Sequence, residues 1–470
     1  MNNSENRSYF FCGIGGSGML PLASILLARG ETVAGSDRSR DQGRTPEKFA
    51  SLKKGGVRLF PQDGSGLTRE HQILVASAAV EDTVPDVAAA RRVGAKRVTR
   101  AELLAALFND ARTSIGIAGT SGKSTTTAMI AWILTDAGSD PTVMNGAVMK
   151  NFVSPETPFA SARVGSGDAF ISEIDESDGS IAMFNPDIAI VSNIAHDHKS
   201  MDELRTLFGE FASRSRCVIL NNDNNESAAL ASALSNEVKT YSVDGAAHLR
   251  ARNIRPEPFG VSFNAVSDEG EETAPIRLKM PGKHNVSNAL AALLAATACG
   301  IDIHRGAAAL NRFHGVARRF DHIGEAGGVT LIDDFGHNPD KITATLRTLH
   351  DFQGRLLVMF QPHGFGPLRL MKDAFIACFA ENLLPEDQLW IPQPAYFGGT
   401  VDRSVTNEDI VKGVCAAGRT AFALESRDEC AQAILATARQ GDRIIVMGAR
   451  DDTLTGFAES LLEQLQQDRS

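Results

Sequence analysis

No stretch of the 470-residue chain approaches the run of roughly 18 apolar residues that crosses a bilayer, so no membrane-spanning helix is expected. Nor is a secretory leader expected. The opening Met1-Asn-Asn-Ser-Glu-Asn-Arg-Ser-Tyr-Phe-Phe11 has no basic segment followed by an apolar one and runs straight into a glycine loop. The six cysteines (Cys12, Cys217, Cys299, Cys378, Cys415, Cys430) are scattered, and none stands at Cys-x-x-Cys spacing. That argues against a disulfide framework or zinc site and fits a reducing cytoplasm. An excess of basic charge is also lacking. With a net charge of -10, the chain is a poor partner for nucleic acid, whose phosphates need clustered Lys and Arg. No repeat of fixed period appears. What remains is an ordinary globular composition, in a chain long enough for about three domains.

The chain is organised around Ser114-Ile-Gly-Ile-Ala-Gly-Thr-Ser-Gly-Lys-Ser-Thr-Thr-Thr127. The apolar run 115–118 reads as a buried strand, Gly119 and Gly122 loosen the backbone, and apolar residues at 129, 130, 133 and 134 recur at helical spacing. Strand, glycine loop and helix in that order place successive N–H groups at a helix N-terminus, where a phosphate gains hydrogen bonds and a favourable dipole together. Gly119, Thr120, Ser121 and Gly122 form the loop, Lys123 adds a point charge for the terminal phosphates, and Ser124 or Thr125 offers a hydroxyl to Mg²⁺. Ile117 occupies the position of the usual first glycine, so the pattern is the variant GTxGK[ST]T.

A second glycine loop lies at Phe10-Phe-Cys-Gly-Ile-Gly-Gly-Ser-Gly-Met19. Gly13, Gly15 and Gly18 satisfy G-x-G-x-x-G, a helix-like stretch runs to Arg29, and Asp37 closes the second strand at the distance of a ribose-binding carboxylate. The opening is Rossmann-like, and alone it suits NAD(P) as well as any other diphosphate-bearing ligand.

Alternating strands and helices follow, with buried strands legible at 169–173, 188–191 and 218–220. This implies a mostly parallel, doubly covered sheet. Residues 235–280 read as a small antiparallel insert, from short alternating segments at 241–243, 260–263 and 276–280. From Gly328 strands at 329–332, 356–360 and 443–447 alternate with helices again. The expected class is therefore α/β in three domains: a Rossmann-like domain over 1–110, a P-loop domain over 111–318 and a Rossmann-like domain over 319–470.

Carboxylates and imidazoles cluster after two strands, in Ile171-Ser-Glu-Ile-Asp-Glu-Ser-Asp-Gly179 and Ile190-Val-Ser-Asn-Ile-Ala-His-Asp-His198. Glu173 is placed to offer Mg²⁺ a hard oxygen and His198 to ligate a second metal, although a solvated loop fits the same residues. Asn285 and Asn288 can offer donor and acceptor to a purine edge, Arg319 can stabilise charge on a transferring phosphoryl group, and Asp334 can accept from ribose hydroxyls. Singly, each also reads as a cap, a surface arginine or a turn.

The order GIGGSGM, AGTSGKSTTT, E-x-DESD, NIAHDH, MPGKHNVSN, RRF, DDFGHNP resembles the Mur ligase family, ATP-dependent amide-forming enzymes of peptidoglycan precursor synthesis. Ala34-Gly-Ser-Asp37, Thr99-Arg-Ala-Glu-Leu103 and Phe360-Gln-Pro-His363 resemble the members that add alanine. Met129-Ile-Ala-Trp-Ile-Leu134, Lys150-Asn-Phe152 and Ala344-Thr-Leu346 resemble those that recycle a ready-made peptide. The resemblance implies a cytoplasmic monomer or homodimer acting on UDP-N-acetylmuramate and a small amine, with ATP and Mg²⁺. It implies Lys123, Ser124, Asn285, Asn288, Arg319, Asp334 and His337 for ATP, and Ser124, Glu173 and His198 for metal. Gly15, Gly16, Ser17, Gly18, Asp37 and Ser77 fall to the UDP-sugar, and His363 and Arg369 to the acceptor. The chain departs from the pattern at Ser124 and Asn338, in having no lysine between Leu204 and Arg214, and at Gly364-Phe-Gly-Pro-Leu-Arg369, which replaces an arginine-rich run. An NAD(P)-dependent oxidoreductase and a non-catalytic nucleotide-binding paralogue stand as the rival readings.

Overall fold

The strands of the computed structural model, which describes residues 7–78, 80–195, 199–395, 402–449, 451 and 453–467, form three sheets. The chain divides into two compact units, one of Met1–Pro256 with Gly260–Val316 and the other of Glu257–Phe259 with Ala317–Ser470.

The first sheet is parallel throughout, with Arg58–Phe60, Thr32–Ser36, Ser8–Cys12, Gln72–Ala76 and Lys96–Thr99 side by side. Its central strand is apolar along its length because both faces are covered: Phe10 packs with Leu67 and Leu74, Phe11 with Ile14 and Leu22. Connections run outward in opposite directions from Ser8–Cys12 and from Gln72–Ala76, which opens a crevice at their C-terminal ends. The loop after Cys12 and Ser77 both stand at that edge. The helix Met19–Ala28 follows the loop, and Asp37 caps the short helix Arg38–Asp41 directly after the second strand.

The second sheet has ten strands, with the phosphate-loop strand Thr113–Ala118 between Ala169–Glu173 and Ile188–Val191. Helix Lys123–Asp136 is buried on nearly every side, and Lys283–Ala298 supplies buried alanines 289, 291, 292, 295 and 296 to the same core. The region 235–280 brings the expected antiparallel strands, joined to the same sheet. Glu237–Ser242 pairs in parallel with Cys217–Asn221 and then with Leu249–Glu257, and beyond Leu249–Glu257 the strand Gly260–Ser267 pairs antiparallel with Ile276–Leu278. The antiparallel segment forms the outer edge of the main sheet. The local alternation shows the strands, while the parallel pairing of Glu237–Ser242 depends on partners that a local pattern does not contain.

In the second unit, Asp321–Ala326 and Val329–Asp334 form an antiparallel edge, and Val329–Asp334, Arg443–Gly448, Leu356–Gln361, Gln388–Pro392 and Thr420–Leu424 continue in parallel. No helix among the described residues is long and apolar enough to cross a membrane.

Candidate active site

Register brings the chemistry to the central loop. Ile117 pairs with Glu173 and Ala118 with Val191, so the strands on either side end beside Gly119. Gly119 at φ 138° and Gly122 at φ 83° take the left-handed backbone that glycine allows. Asn193 holds the loop from one flank: its Oδ1 accepts from Ser121 N at 2.9 Å, its Nδ2 donates to Ser121 O at 3.1 Å, and its carbonyl accepts from Thr120 N at 3.0 Å. Asn288 holds it from the other. Its Oδ1 accepts from Thr126 Oγ1 at 3.2 Å, its Nδ2 donates to Asn285 Oδ1 at 3.3 Å, and Asn285 Nδ2 donates to Pro281 O at 2.7 Å. Both amides expected at a purine edge thus brace the phosphate loop, with one N–H of each outside these bonds.

The acids of the run 173–178 sort into two kinds. Asp175 accepts from Ser177 N at 3.0 Å and Asp178 from Ser180 N at 2.9 Å, so these two fold the turn. Glu173 and Glu176 face the loop instead. Ser124 Oγ donates to Glu173 Oε2 at 2.6 Å, and Lys123 Nζ donates to Glu176 Oε2 at 2.9 Å and to Gly119 O at 2.5 Å. The Lys123–Glu176 pair is buried, with side chains 19% and 8% exposed. Burial pushes the Glu176 carboxyl up, outweighing Lys123 and its hydrogen bond, which pull it down. Burial would raise Asp175 as well, but the Ser177 hydrogen bonds with the charges of Lys123 and Arg100 prevail and hold it low. Glu176 and Asn193 were quoted in the sequence motifs without a role. Four acids in six residues look alike until the turn decides which of them point at the loop.

Mg²⁺ takes hard oxygen ligands and keeps several from water and phosphate. The Ser124 hydroxyl and Glu173 carboxylate are such a pair. Beside them Asn145 donates from Nδ2 to Ser124 O at 3.0 Å, and its buried Oδ1 has no partner among the described residues. This donor set fits the ion. Among the described residues no three His, Cys, Asp or Glu side chains form a metal cage. His198, expected as a second ligand, lies outside the described residues.

The first glycine loop is closed by different means. Asp37 Oδ2 accepts from Gly15 N at 2.8 Å, its Oδ1 accepts from Ser39 N at 2.8 Å, and Lys48 Nζ donates to Gly15 O at 3.1 Å. Gly15 and Asp37, both expected to face the UDP-sugar, are locked to each other. Gly16 and Ser17 are exposed at the sheet's C-terminal edge, with Gly18 beside them.

In the second unit, Arg318 at φ 60° and Phe320 at φ 50° put two non-glycine residues in the left-handed region. Such strain persists only where the surroundings enforce it. Asp334 does so, accepting from Phe320 N at 2.8 Å while its other oxygen accepts from Gly336 N at 2.8 Å and Thr345 Oγ1 at 3.1 Å. Arg318 is tied to Gly448 O at 2.6 Å and to Asp451 O at 3.0 Å. The strained turn leaves Arg319 half-buried, its guanidinium 4.3 Å from the Phe335 ring centroid. Asp334 therefore holds the arginine turn, with most of its acceptor capacity used before any ribose arrives. His337 stacks edge-on against His363 at 5.5 Å, and burial, with Lys341 adding to it, lowers its pKa to about 3, so it is neutral near pH 7. Arg369 ion-pairs with Asp402 at 2.8 Å, both half-exposed.

Two glycine loops at the edges of parallel sheets, one carrying lysine, hydroxyl and carboxylate together, define a nucleotide-binding α/β enzyme of the phosphoryl-handling kind. Three family models divide the chain: the Mur ligase family catalytic domain over residues 8–112, the Mur ligase middle domain over 117–296, and the Mur ligase glutamate ligase domain over 318–450. The chain is 36% identical over 468 residues to a UDP-N-acetylmuramate-L-alanine ligase of Cereibacter sphaeroides, covering 97% of this chain and 96% of that one. It is 35% identical to the enzyme of the same name from Desulfosudis oleivorans, over 94% and 95% of the two chains. The fold is shared with a UDP-N-acetylmuramate-alanine ligase of Thermotoga maritima at TM-score 0.80 and 24% identity, covering 98% of this chain and 99% of that one. It is shared also with a murein peptide ligase of Psychrobacter arcticus at TM-score 0.73 and 24% identity, with the same coverage. The chain belongs to the Mur ligase family and is an ATP-dependent amide-forming ligase. The oxidoreductase reading of residues 13–37 falls with that membership.

Proposed function

We propose that this chain joins the lactyl carboxylate of UDP-N-acetylmuramate to the amine of L-alanine, with ATP split to ADP and phosphate, by way of an acyl phosphate. The observation that carries this reading is the group Lys123, Ser124 and Glu173 on one braced loop, in a chain related over nearly its whole length to alanine-adding ligases. The sugar carboxylate attacks the γ-phosphorus, ADP leaves, and the amine then displaces phosphate from the acyl carbon as its proton is lost.

Catalysis of this kind is chiefly positioning and charge neutralisation. Lys123, handed over by Glu176, meets the transferring phosphoryl, and Arg319 of the second unit is a cation suited to phosphate charge. Ser124 and Glu173 would hold Mg²⁺, which when bound neutralises phosphate charge. We assign the UDP-sugar to residues 1–110, ATP chiefly to 111–318 and the amine to 319–470. Such a reaction, consuming ATP and a UDP-sugar, belongs in the cytoplasm.

The acceptor segment supports a second reading. Gly364 and Pro367 offer no charge, Arg369 is engaged by Asp402, and a cavity of about 430 Å³ lies beside Phe365, Arg403 and Glu425. That room suits an amine larger than alanine, such as the recycled peptide L-alanyl-γ-D-glutamyl-meso-diaminopimelate. The deciding assay is phosphate release from ATP with UDP-N-acetylmuramate, screened over L-alanine, other amino acids and that tripeptide. Release with the tripeptide alone would replace alanine as acceptor, and release with no amine at all would overturn the ligase assignment.

A further inference from the structure

Most amides of the first glycine loop are already spent. Gly13 N and Ile14 N donate to Ser36 O at 2.9 and 3.0 Å, Gly15 N donates to Asp37, Gly16 N donates to Gly13 O at 3.0 Å, and Met19 N and Leu20 N both donate to Gly16 O at 3.0 Å. Among the described residues only Ser17 and Gly18 keep loop N–H groups without an acceptor. Over Gly18 lies Arg100. A Cβ placed on Gly18 would stand 2.9 Å from Arg100 Cδ and 3.2 Å from Nη1, so glycine is what lets the arginine lie there.

Arg100 is held from behind. It opens the helix Arg100–Asn109 immediately after the strand Lys96–Thr99, where Glu102 N donates to Thr99 Oγ1 at 3.1 Å and Thr99 N donates to Glu102 Oε2 at 2.7 Å. The side chain is half-buried, yet among the described residues its guanidinium makes no hydrogen bond or ion pair. Its charge reaches Asp175 without a pair forming. A fixed guanidinium with unmet donors wants an anion, and its planar fork matches phosphate oxygens.

Resting on the assignment of this loop to a UDP-sugar, we propose that Arg100 binds the diphosphate, its guanidinium closing over the anion that the Ser17 and Gly18 amides hold from below. The lactyl carboxylate is the other anion of that ligand. The diphosphate is favoured because Nη1 stands against Gly18 itself, where the open amides are.

The test is calorimetric binding of UDP and of UDP-N-acetylmuramate to the full chain as wild type, Arg100→Gln and Arg100→Lys. Gln keeps the stem that packs on Gly18 and removes the charge. Arg100→Gln should weaken both ligands about tenfold or more, as losing a charged hydrogen-bond partner does. Arg100→Lys should weaken them less, and affinity for a non-hydrolysable ATP analogue should stay within about twofold. UDP affinity unchanged in Arg100→Gln would overturn the proposal, as would weakening confined to UDP-N-acetylmuramate, which puts Arg100 on the lactyl side. If Arg100→Gln fails to fold, Arg100→Lys decides: UDP affinity equal to wild type sinks the idea. A wild-type chain that binds neither uridine ligand would overturn the assignment of the loop itself, and the inference with it.

Discussion

The two glycine loops use the same backbone device and differ in what their side chains have done with the charge. At residues 119–124 the cation is already neutralised: Lys123 is buried against Glu176, Ser124 against Glu173, and an asparagine braces each flank. At residues 13–18 the carboxylate of Asp37 is spent on a glycine amide, while two amides and Arg100 have no partner among the described residues. A loop that grips an unchanging diphosphate is served by permanent, unpaired donors. A loop that must receive a phosphoryl group and then lose it is served by charges that exchange partners, so that neither state is held too tightly.

Removing the exchanged cation should break the comparison most severely. Lys123→Ala is expected to lower turnover by about a hundredfold or more, the cost of one transition-state contact, while UDP-N-acetylmuramate affinity stays as in wild type. Steady-state phosphate release and calorimetry measure the two halves. Turnover above a third of wild type would take the phosphoryl group away from this loop.

Next in size is Glu173→Gln, which keeps the shape and removes one anionic oxygen from the proposed ion site. The half-saturating Mg²⁺ concentration should rise about tenfold, with uridine-ligand affinity unaltered. An unchanged magnesium titration would free Glu173 for a structural role on Ser124.

Which of these assignments the sequence could reveal depends on how local the cause is. The phosphate loop was legible because strand, glycines, lysine and helix are contiguous, and the structure has the strand at Thr113–Ala118 and the helix at Lys123–Asp136. Arg100 was visible only as a letter in Thr99-Arg-Ala-Glu-Leu103. Its relation to Gly18 arises because the first and fifth strands end at the same edge of one sheet. The strand Leu249–Glu257 escaped notice because Arg250, Arg252, Arg255 and Pro256 disguise it, and it pairs in parallel with a neighbour whose place is fixed by the phosphate-loop strand several positions away. Asp37 is legible as a carboxylate at ribose-binding distance from the glycine loop, and Asp334 as a ribose acceptor from its chemistry and the family resemblance. Each accepts from one backbone amide of its own turn, Ser39 or Gly336, and from one distant in sequence, Gly15 or Phe320.

Glu176→Gln sharpens the comparison from the other side. In the free protein the substitution leaves Lys123 buried without a counter-ion, which is costly. In the nucleotide complex the phosphates supply that counter-ion, so the bound state loses less. The difference appears as tighter binding, and the dissociation constant of a non-hydrolysable ATP analogue should fall by about fivefold, with a lower melting temperature for the free protein only. Weaker nucleotide binding would mean that Glu176 itself supports the bound phosphates or their ion.

The smallest effect is expected at Asp37, and it tests whether the first loop is held as described. Its two oxygens serve Gly15 N and Ser39 N, both at 2.8 Å, and the residue is 8% exposed. Asparagine caps a helix about as well as aspartate but has only one acceptor oxygen. Asp37→Asn should therefore keep one bond, lose the other and cost about 1–2 kcal/mol of stability in denaturant unfolding, because an amide near the crevice is left unmet. Uridine-ligand affinity should change by less than about threefold, since the donors left for the diphosphate belong to Ser17, Gly18 and Arg100 and none of them bonds to Asp37. A ribose-binding carboxylate predicts the reverse pattern, with stability nearly kept and affinity for UDP reduced about tenfold or more through the loss of a charged acceptor. Measuring both quantities on one variant separates a carboxylate that holds the loop from one that holds the sugar.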